Sequence, residues 1–264
     1  MQAPMTERIQ LSMERMISEL EYYKKRGIFS SHELRKIVET RKMHELRLQR
    51  PEKKLLDFVR YIKSEYMLEK IRDKRMGEKN ANASLYDMSI SKKIVELYRS
   101  ALYRFNDPKI ISQFTAYVIE KKMYCEMKNV FAECCSKSPL DVELWIYCAM
   151  KLFGVGDLES SRAMFLKAIR MNSKNSRVRI EFFRMEVINI TNIQAASKEM
   201  GFEDDERDDA ERDELALAVL QDCVDNSFFT INELQELLNI SQDVEGLHQK
   251  AQKLITQCEW RKSK

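Results

Sequence analysis

Three segments of the chain repeat one pattern: KIVELYRSALYRF at residues 93–105, MKNVFAECCSKSP at 127–139 and SRAMFLKAIRMNS at 161–173. In each segment an aromatic residue is followed three positions later by a small one, and the pairs are Tyr98 with Ala101, Phe131 with Cys134, and Phe165 with Ala168. The aromatics lie 33 and 34 residues apart. A period near 34 residues, with two helices in each unit, is typical of a tetratricopeptide-like solenoid. The small residue lets neighbouring helices approach closely, and the aromatic fills the space beside it.

A second series accompanies the first. Its members are Phe114, Trp145 and Arg179, spaced by 31 and 34 residues. Three positions after them come Tyr117, Cys148 and Phe182, and six positions before them come the turn residues Pro108, Pro139 and Ser173. We therefore predict an all-α fold, a right-handed solenoid of helical hairpins that opens with a helical N-terminal segment.

The composition agrees with helices. The chain of 264 residues contains only 6 Gly and 4 Pro, which argues against an all-β fold, because sheets need frequent turn residues. Hydrophobic residues make up 44% and charged residues 33%, as in amphipathic helices. The net charge of +3 is not that of a dedicated nucleic-acid-binding domain, although it permits a local basic patch.

Targeting signals and disulfides are not expected. No apolar run of 18 residues is present and the first ten residues lack an apolar core, so we predict neither a transmembrane helix nor a secretory signal. None of the six cysteines forms a CxxC pair, and we interpret them as reduced, buried thiols of an intracellular protein. The cysteines are Cys125, Cys134, Cys135, Cys148, Cys223 and Cys258.

The pattern along the chain predicts four regions: an N-terminal helical segment at 1–80, a repeat solenoid at 81–200, an acidic linker at 201–214 and C-terminal helices at 215–264. Helices are expected at 7–25, from Ser30 or Ser31 to about 49, and from Pro51 to about 76. The acidic run GFEDDERDDAERDE at 201–214 is either a solvated tether or a segment that docks on a basic partner.

One branch of the repeat class fits best. The first helix of a half-a-tetratricopeptide (HAT) repeat carries an aromatic, a second aromatic three positions on and an acidic residue seven positions on. Phe58, Tyr61 and Glu65 match all three places, and the later units match one or two of them. The chain therefore resembles the HAT-repeat family, whose members occur in RNA-processing assemblies.

The N-terminal region narrows the resemblance. The strings GIFSSHELRKIVETRKMHELRLQR (27–50) and DFVRYIKSEYMLEKIRDKR (57–75) resemble the family of U-three small nucleolar RNA-associated protein six. LWIYCAMKLF (144–153), SSRAMFLKAIR (160–170), EFFRMEV (181–187) and DELALAVL (213–220) continue the resemblance in that family's order. Because members of the family are generally longer, the resemblance implies a shortened form.

The resemblance implies a non-enzymatic scaffold in the UTP-B subcomplex of the small-subunit processome. Such a subunit assists pre-18S ribosomal RNA processing and small-subunit assembly in the nucleolus. The implied partners are tandem β-propeller subunits of UTP-B and, mostly indirectly, U-three small nucleolar RNA and pre-ribosomal RNA. No cofactor, membrane or small-molecule substrate is implied.

Two other functions are weighed beside this one. A HAT scaffold in messenger-RNA splicing or 3′-end processing is the alternative, but those relatives usually lack the N-terminal strings. A generic tetratricopeptide adaptor for peptide tails is less favoured, because the matched repeat positions carry aromatic or apolar residues instead of Lys, Asn and Arg. No catalytic constellation is evident, since His32 and His44 are twelve residues apart and suit no shared metal site.

Basic residues supply the candidate contacts. Residues 1–80 hold 20 Lys and Arg against 13 Asp and Glu, and several cations gather at one helix junction, where they could meet RNA phosphates or form a solvated face. Within the helices Arg41 and Glu45 are spaced to pair locally, whereas Glu65 and Glu69 repel unless a partner answers them. The candidate partner or RNA contacts are Phe29, Arg41, Lys42, Arg47, Arg50, Lys53, Lys54, Arg72 and Arg75.

Overall fold

A computed structural model describes residues 14, 16–78, 88–200, 206–225 and 229–262. These residues contain helices and no strand, so the predicted all-α fold is confirmed. The helices are α1 (Ile17–Lys25), α2 (Ser31–Leu48), α3 (Leu55–Glu78), α4 (Ser89–Phe105), α5 (Pro108–Glu120), α6 (Tyr124–Lys137), α7 (Val142–Gly154), α8 (Leu158–Met171), α9 (Ser176–Met200), α10 (Glu206–Asp225), α11 (Ile231–Ile240) and α12 (Glu245–Lys262).

Local sequence explains several helix ends. Ser30 and Glu33 form a capping box at the start of α2, with each side chain accepting from the other residue's backbone N–H. Gly27 has a φ of 62°, a left-handed conformation that glycine adopts without steric cost, and it lies just after the end of α1. In the repeats, α5, α7 and α8 each begin after an aspartate whose side chain accepts a backbone N–H of the first turn.

Two predicted boundaries need correction. Helix α3 begins at Leu55 and not at Pro51, because the chain uses residues 49–54 to reverse direction between α2 and α3. Helix α10 begins at Glu206, so most of the predicted linker at 201–214 is helical. Acidic residues favour the positive N-terminal end of a helix dipole, which is why such a run can begin a helix. The predicted stretch 7–13 lies outside the described residues.

The chain divides into two compact units, residues 1–130 and 131–264. In the first unit α3 packs against α4 as a hairpin, which joins the predicted N-terminal segment 1–80 to the predicted solenoid. The reason is that α3 carries the complete HAT pattern and is itself the first helix of a repeat. Phe58 and Tyr61 are buried, and Phe58 meets Phe105 of α4 edge to face at 5.9 Å.

In the second unit α7 pairs with α8, and α9 packs against both of these and against α10. Phe165 of α8 stacks on Phe182 of α9 with ring centroids 5.2 Å apart. Trp145 donates from Nε1 to the carbonyl of Pro139 at 3.0 Å, and Arg179 donates from Nη1 to the carbonyl of Ser173 at 2.9 Å. Both bonds span six residues, so the two positions assigned to one repeat register make the same contact.

The small residues of the repeat are buried, as the pattern predicts. Ala101, Cys134 and Ala168 are 1%, 5% and 0% exposed, and the aromatics three positions before them are buried too. A larger side chain at these places would push the packed helices apart. Among the described residues no helix is long and apolar enough to cross a membrane.

Candidate interaction site

Arg41 lies at the centre of a buried ionic cluster and is not a surface contact. Its side chain is 2% exposed and sits on α2 between α1 and α3. Nε and Nη2 donate to the two oxygens of Glu65 at 2.8 and 2.7 Å, and Nη1 donates to Glu19 at 3.1 Å. The predicted local pair of Arg41 with Glu45 is therefore wrong, because Glu65 and Glu19 accept the ionic hydrogen bonds of the guanidinium.

Electrostatics keeps this arginine charged. Burial alone lowers the pKa of Arg41, but the charges and hydrogen bonds of Glu65 and Glu19 outweigh it and raise the pKa above its ordinary value. A planar guanidinium suits this buried position because its N–H groups can donate to two carboxylates at the same time. One side chain of α2 consequently links α1 and α3 through ion pairs.

The two glutamates expected to repel each other both have partners. Arg41 answers Glu65, while Glu69 accepts hydrogen bonds from Ser91 of α4 and from Tyr117 of α5, the latter at 2.9 Å. Lys121 Nζ lies 3.2 Å from Glu69 as well. Burial and the neighbouring Glu69 raise the pKa of Tyr117, which keeps the phenol protonated as a donor. These contacts connect α3 to the following repeat.

Phe29 and Arg72 are also buried, so neither is available as a surface contact. Phe29 is 4% exposed and packs edge to face on Tyr23 at 5.6 Å, because the turn after α1 folds it inward. Arg72 is 5% exposed and donates from Nε to Asp73 at 2.9 Å. The sequence prediction treated both as surface residues, and burial beneath α1 and the adjoining turn is the physical reason for the correction.

Arg75 is half-buried and has a structural role. Nη2 donates to Glu33 at 2.7 Å, Nη1 donates to the carbonyl of Ile28 at 2.9 Å, and the guanidinium lies 5.1 Å from the centre of the Phe29 ring. The hydrogen bond from Arg75, followed by that from the Ser30 backbone, lowers the pKa of Glu33 to about 2. Arg75 thus fastens the end of α3 to the turn between α1 and α2.

The other five candidates lie around the connection between α2 and α3. Lys42, Arg50 and Lys54 are exposed, and Arg47 and Lys53 are half-buried. We name these five residues the junction cations. They remain predicted contacts, and the three exposed residues among them are accessible to an anionic partner. Sequence reasoning missed three further cations in the neighbouring helix α4, namely Lys93, Arg99 and Arg104, although all three fall within the first repeat segment.

A second cluster explains the interior of this region. Tyr61 donates to Glu45 at 3.2 Å, and Lys93 of α4 donates to the same carboxylate at 3.0 Å. His44 stacks on Tyr61 with ring centroids 4.8 Å apart, so it is a packing residue. Burial, followed by the charge of Arg47, lowers the pKa of His44. No group of three or more metal-ligating side chains occurs among the described residues.

Four of the six cysteines are buried, as expected: Cys134, Cys135, Cys148 and Cys223. Burial raises the pKa of Cys134 to about 11 and that of Cys223 to about 12, so these thiols stay protonated and unreactive. Cys125 is exposed, contrary to the prediction, because it lies on the solvent side of the first turn of α6. The side chain of Cys258 lies outside the described residues.

Most arginines of α8 and α9 form ion pairs within the second unit. Arg162 donates to both oxygens of Glu186 at 2.8 and 2.7 Å. The two residues are 24 positions apart, the same offset as between Arg41 and Glu65, and in both cases the acid occupies the acidic place of the HAT pattern. In both units the acidic residue of the HAT pattern therefore forms an ion pair with an arginine on the preceding helix.

Comparison with known proteins agrees with the resemblance read from the residues. Residues 13–96 match the family model described as U3 small nucleolar RNA-associated protein 6. This range covers α1 to α3 and the first part of α4, and it includes the Arg41 cluster, the junction cations and Lys93, whereas Arg99 and Arg104 lie beyond it. The predicted resemblance is confirmed.

Curated proteins of the same name are similar over more of the chain. The U3 small nucleolar RNA-associated protein 6 of fission yeast, Schizosaccharomyces pombe, is 26% identical over 267 aligned residues, which covers 94% of this chain and 55% of that protein. The human homologue is 26% identical over 74% of this chain and 33% of its own length. The Dictyostelium discoideum homologue is 24% identical over 70% and 31%. The chain thus spans about half the length of the fission yeast relative and about a third of the others.

Proposed function

We propose that the chain takes part in pre-ribosomal RNA processing together with U-three small nucleolar RNA, as a non-enzymatic scaffold. The single observation that carries the proposal is the match of residues 13–96 to the family model, over the same residues that build the Arg41 cluster and the junction cations. The name of that model and of the three relatives refers to this RNA. The location that follows is the nucleolus of the nucleus.

The scaffold role rests on how the helices are held. Buried ion pairs and hydrogen bonds join α1 to α2 and α3, and α3 to α4 and α5, so the first unit presents side chains from several helices on one rigid support. A rigid helical array offers extended surfaces on which several partners dock. We propose that these partners are the tandem β-propeller subunits of the UTP-B subcomplex.

The alternative in messenger-RNA splicing or 3′-end processing shares the HAT repeats and makes a different prediction about partners. The relatives' names favour the ribosomal function. The N-terminal strings fall in the region that the family model covers, whereas repeats alone would fit either process.

Affinity purification of the tagged chain from its own cells tests the proposal. We expect tandem β-propeller proteins, U-three RNA and the 5′ region of pre-ribosomal RNA, identified by mass spectrometry and RNA sequencing. A parallel sample treated with ribonuclease separates protein contacts from RNA tethering, because direct β-propeller partners remain after the RNA is removed. Recovery of splicing or polyadenylation factors in place of these components would overturn the proposal.

A variant sharpens the experiment. Arg41→Ala leaves the surface residues unchanged but unpairs two buried carboxylates, so it should weaken the support on which the partners dock. Arg170→Ala is the matched control, since this exposed arginine lies on α8 in the second unit. We expect Arg41→Ala to lower recovery of the β-propeller proteins and Arg170→Ala to leave it unchanged.

A further inference from the structure

A polar cleft of about 410 Å³ lies between α2, α3 and α4 within the first unit. Four cations line it, together with an amide, a hydroxyl, two carboxylates and three apolar residues. We call it the basic cleft. The cations are Lys53, Lys93, Arg99 and Arg104, and the other lining residues are Glu45, Leu48, Gln49, Phe58, Glu96, Leu97 and Ser100.

The charge of the cleft is positive. One of its two carboxylates, Glu45, already accepts from Lys93 at 3.0 Å and from Tyr61 at 3.2 Å, which leaves Glu96 as the acidic group on the solvent side. Arg99 and Arg104 are exposed on α4. Because Lys53 is also a junction cation, the positive surface continues from the cleft onto the connection between α2 and α3.

The apolar part of the cleft is small. Phe58, Leu97 and Leu48 are 3%, 5% and 8% exposed, so all three form the floor and offer little surface to a ligand. A docking peptide gains most of its affinity by burying apolar side chains in a pocket, and this cleft exposes little apolar surface for that. An RNA backbone instead needs positive charge and hydrogen-bond donors, which the guanidinium, ammonium, amide and hydroxyl groups supply.

We propose that the basic cleft binds the phosphate backbone of single-stranded RNA. The inference deepens the proposed function, on which it rests, by giving the chain a direct contact to RNA within residues 45–104. Phe58 is the lone aromatic residue of the lining and is buried, so bases find no exposed ring to stack on. The contact is therefore independent of base sequence, and it depends strongly on salt.

Fluorescence anisotropy with a labelled 12-nucleotide oligouridylate tests the cleft. The full chain is titrated at several salt concentrations beside the double variant Lys53→Glu/Arg104→Glu and the control Lys36→Glu/Lys109→Glu. Lys36 and Lys109 are exposed in the same unit and do not line the cleft, so both variants change the net charge equally. Far-UV circular dichroism checks that both variants fold, and Lys53→Gln/Arg104→Gln provides a milder change.

We expect the cleft variant to bind oligouridylate at least about tenfold more weakly at low salt, and the control to lose less than about threefold. The slope of log K against log salt should become shallower by roughly 1.4, which corresponds to two phosphate contacts on a single strand. Equal losses in the two variants would overturn the proposal, as would tighter binding of a ten-residue polyglutamate peptide than of oligouridylate.

The two proposals fail separately. If tagged wild-type chain recovers U-three RNA and β-propeller proteins while both double variants bind oligouridylate equally, the cleft proposal fails and the proposed function stands. If the wild-type chain recovers none of these components, the proposed function fails whatever the oligouridylate titration shows.

Discussion

Replacing Arg41 with alanine should strongly destabilise the first unit. The guanidinium is 2% exposed, and its partners Glu19 and Glu65 are 10% and 2% exposed. Removing it leaves two carboxylates close together in a place where water reaches neither well. The perturbation therefore unpairs buried charge, in addition to removing four charged hydrogen bonds.

The expected cost follows from that geometry. Breaking a buried ion pair by deleting one partner costs about 3–5 kcal/mol, because the remaining charge stays desolvated. Two carboxylates share the loss here, and one of them is slightly more accessible, so we expect a loss of about 3–4 kcal/mol in the free energy of unfolding. At 25 °C that is more than a hundredfold change in the folding equilibrium.

Urea unfolding followed by far-UV circular dichroism measures the loss, and hydrogen exchange of peptides from α1 to α3 locates it. Arg162→Ala is the matched control, since Glu186 is 2% exposed but Arg162 itself is 34% exposed, and water there compensates part of the lost pair. The triple variant Glu19→Leu/Arg41→Met/Glu65→Met removes all three charges together and should regain most of the stability. A loss below about 1 kcal/mol for Arg41→Ala would refute the reasoning, because no buried carboxylate would then depend on this arginine.

Three further predictions concern single contacts. Glu33→Gln should make the free energy of unfolding less dependent on pH between about pH 4.5 and pH 2. Arg75 lowers the pKa of Glu33 to about 2, so the stability that this carboxylate contributes is present above pH 4.5 and is lost as the pH falls through that window. Circular dichroism at stepped pH measures the difference. Trp145→Phe removes the donor to the Pro139 carbonyl and should cost about 1–2 kcal/mol by urea unfolding; an unchanged midpoint would show that the bond does not contribute. Ala168→Leu inserts a larger side chain at a fully buried helix contact and should cost about 1–3 kcal/mol, seen as a lower Tm, whereas an equal or higher Tm would mean that the helices have room for it.

The repeat could be predicted from the sequence because it depends on local spacing. An aromatic and a small residue three positions apart lie on one face of a helix, whatever surrounds them, and Phe165 with Ala168 is buried as expected. The capping box at Ser30 is equally local. Features that one helix determines alone were therefore accessible without the structure.

Contacts between helices that are distant in the sequence could not be predicted from local spacing. The sequence predicts Arg41 as a surface cation because charged residues dominate α2. Its burial depends on α1, whose Glu19 forms an ion pair with it. Glu45 likewise finds Lys93 of α4 at 48 residues' distance in place of its neighbour four positions back. The same limit hid the basic cleft, since Lys53 and Arg104 meet only when three helices fold together.

The pair of bonds from Trp145 and Arg179 shows what a repeat position actually requires. An indole and a guanidinium differ in shape, charge and polarity, yet each donates one N–H group to the carbonyl of the residue six positions before it. The position thus conserves a chemical function while its residue type is free to vary. One N–H donor can therefore replace another at this position while the repeat keeps its register. A sequence comparison that expects an aromatic residue there would fail to recognise such a repeat unit.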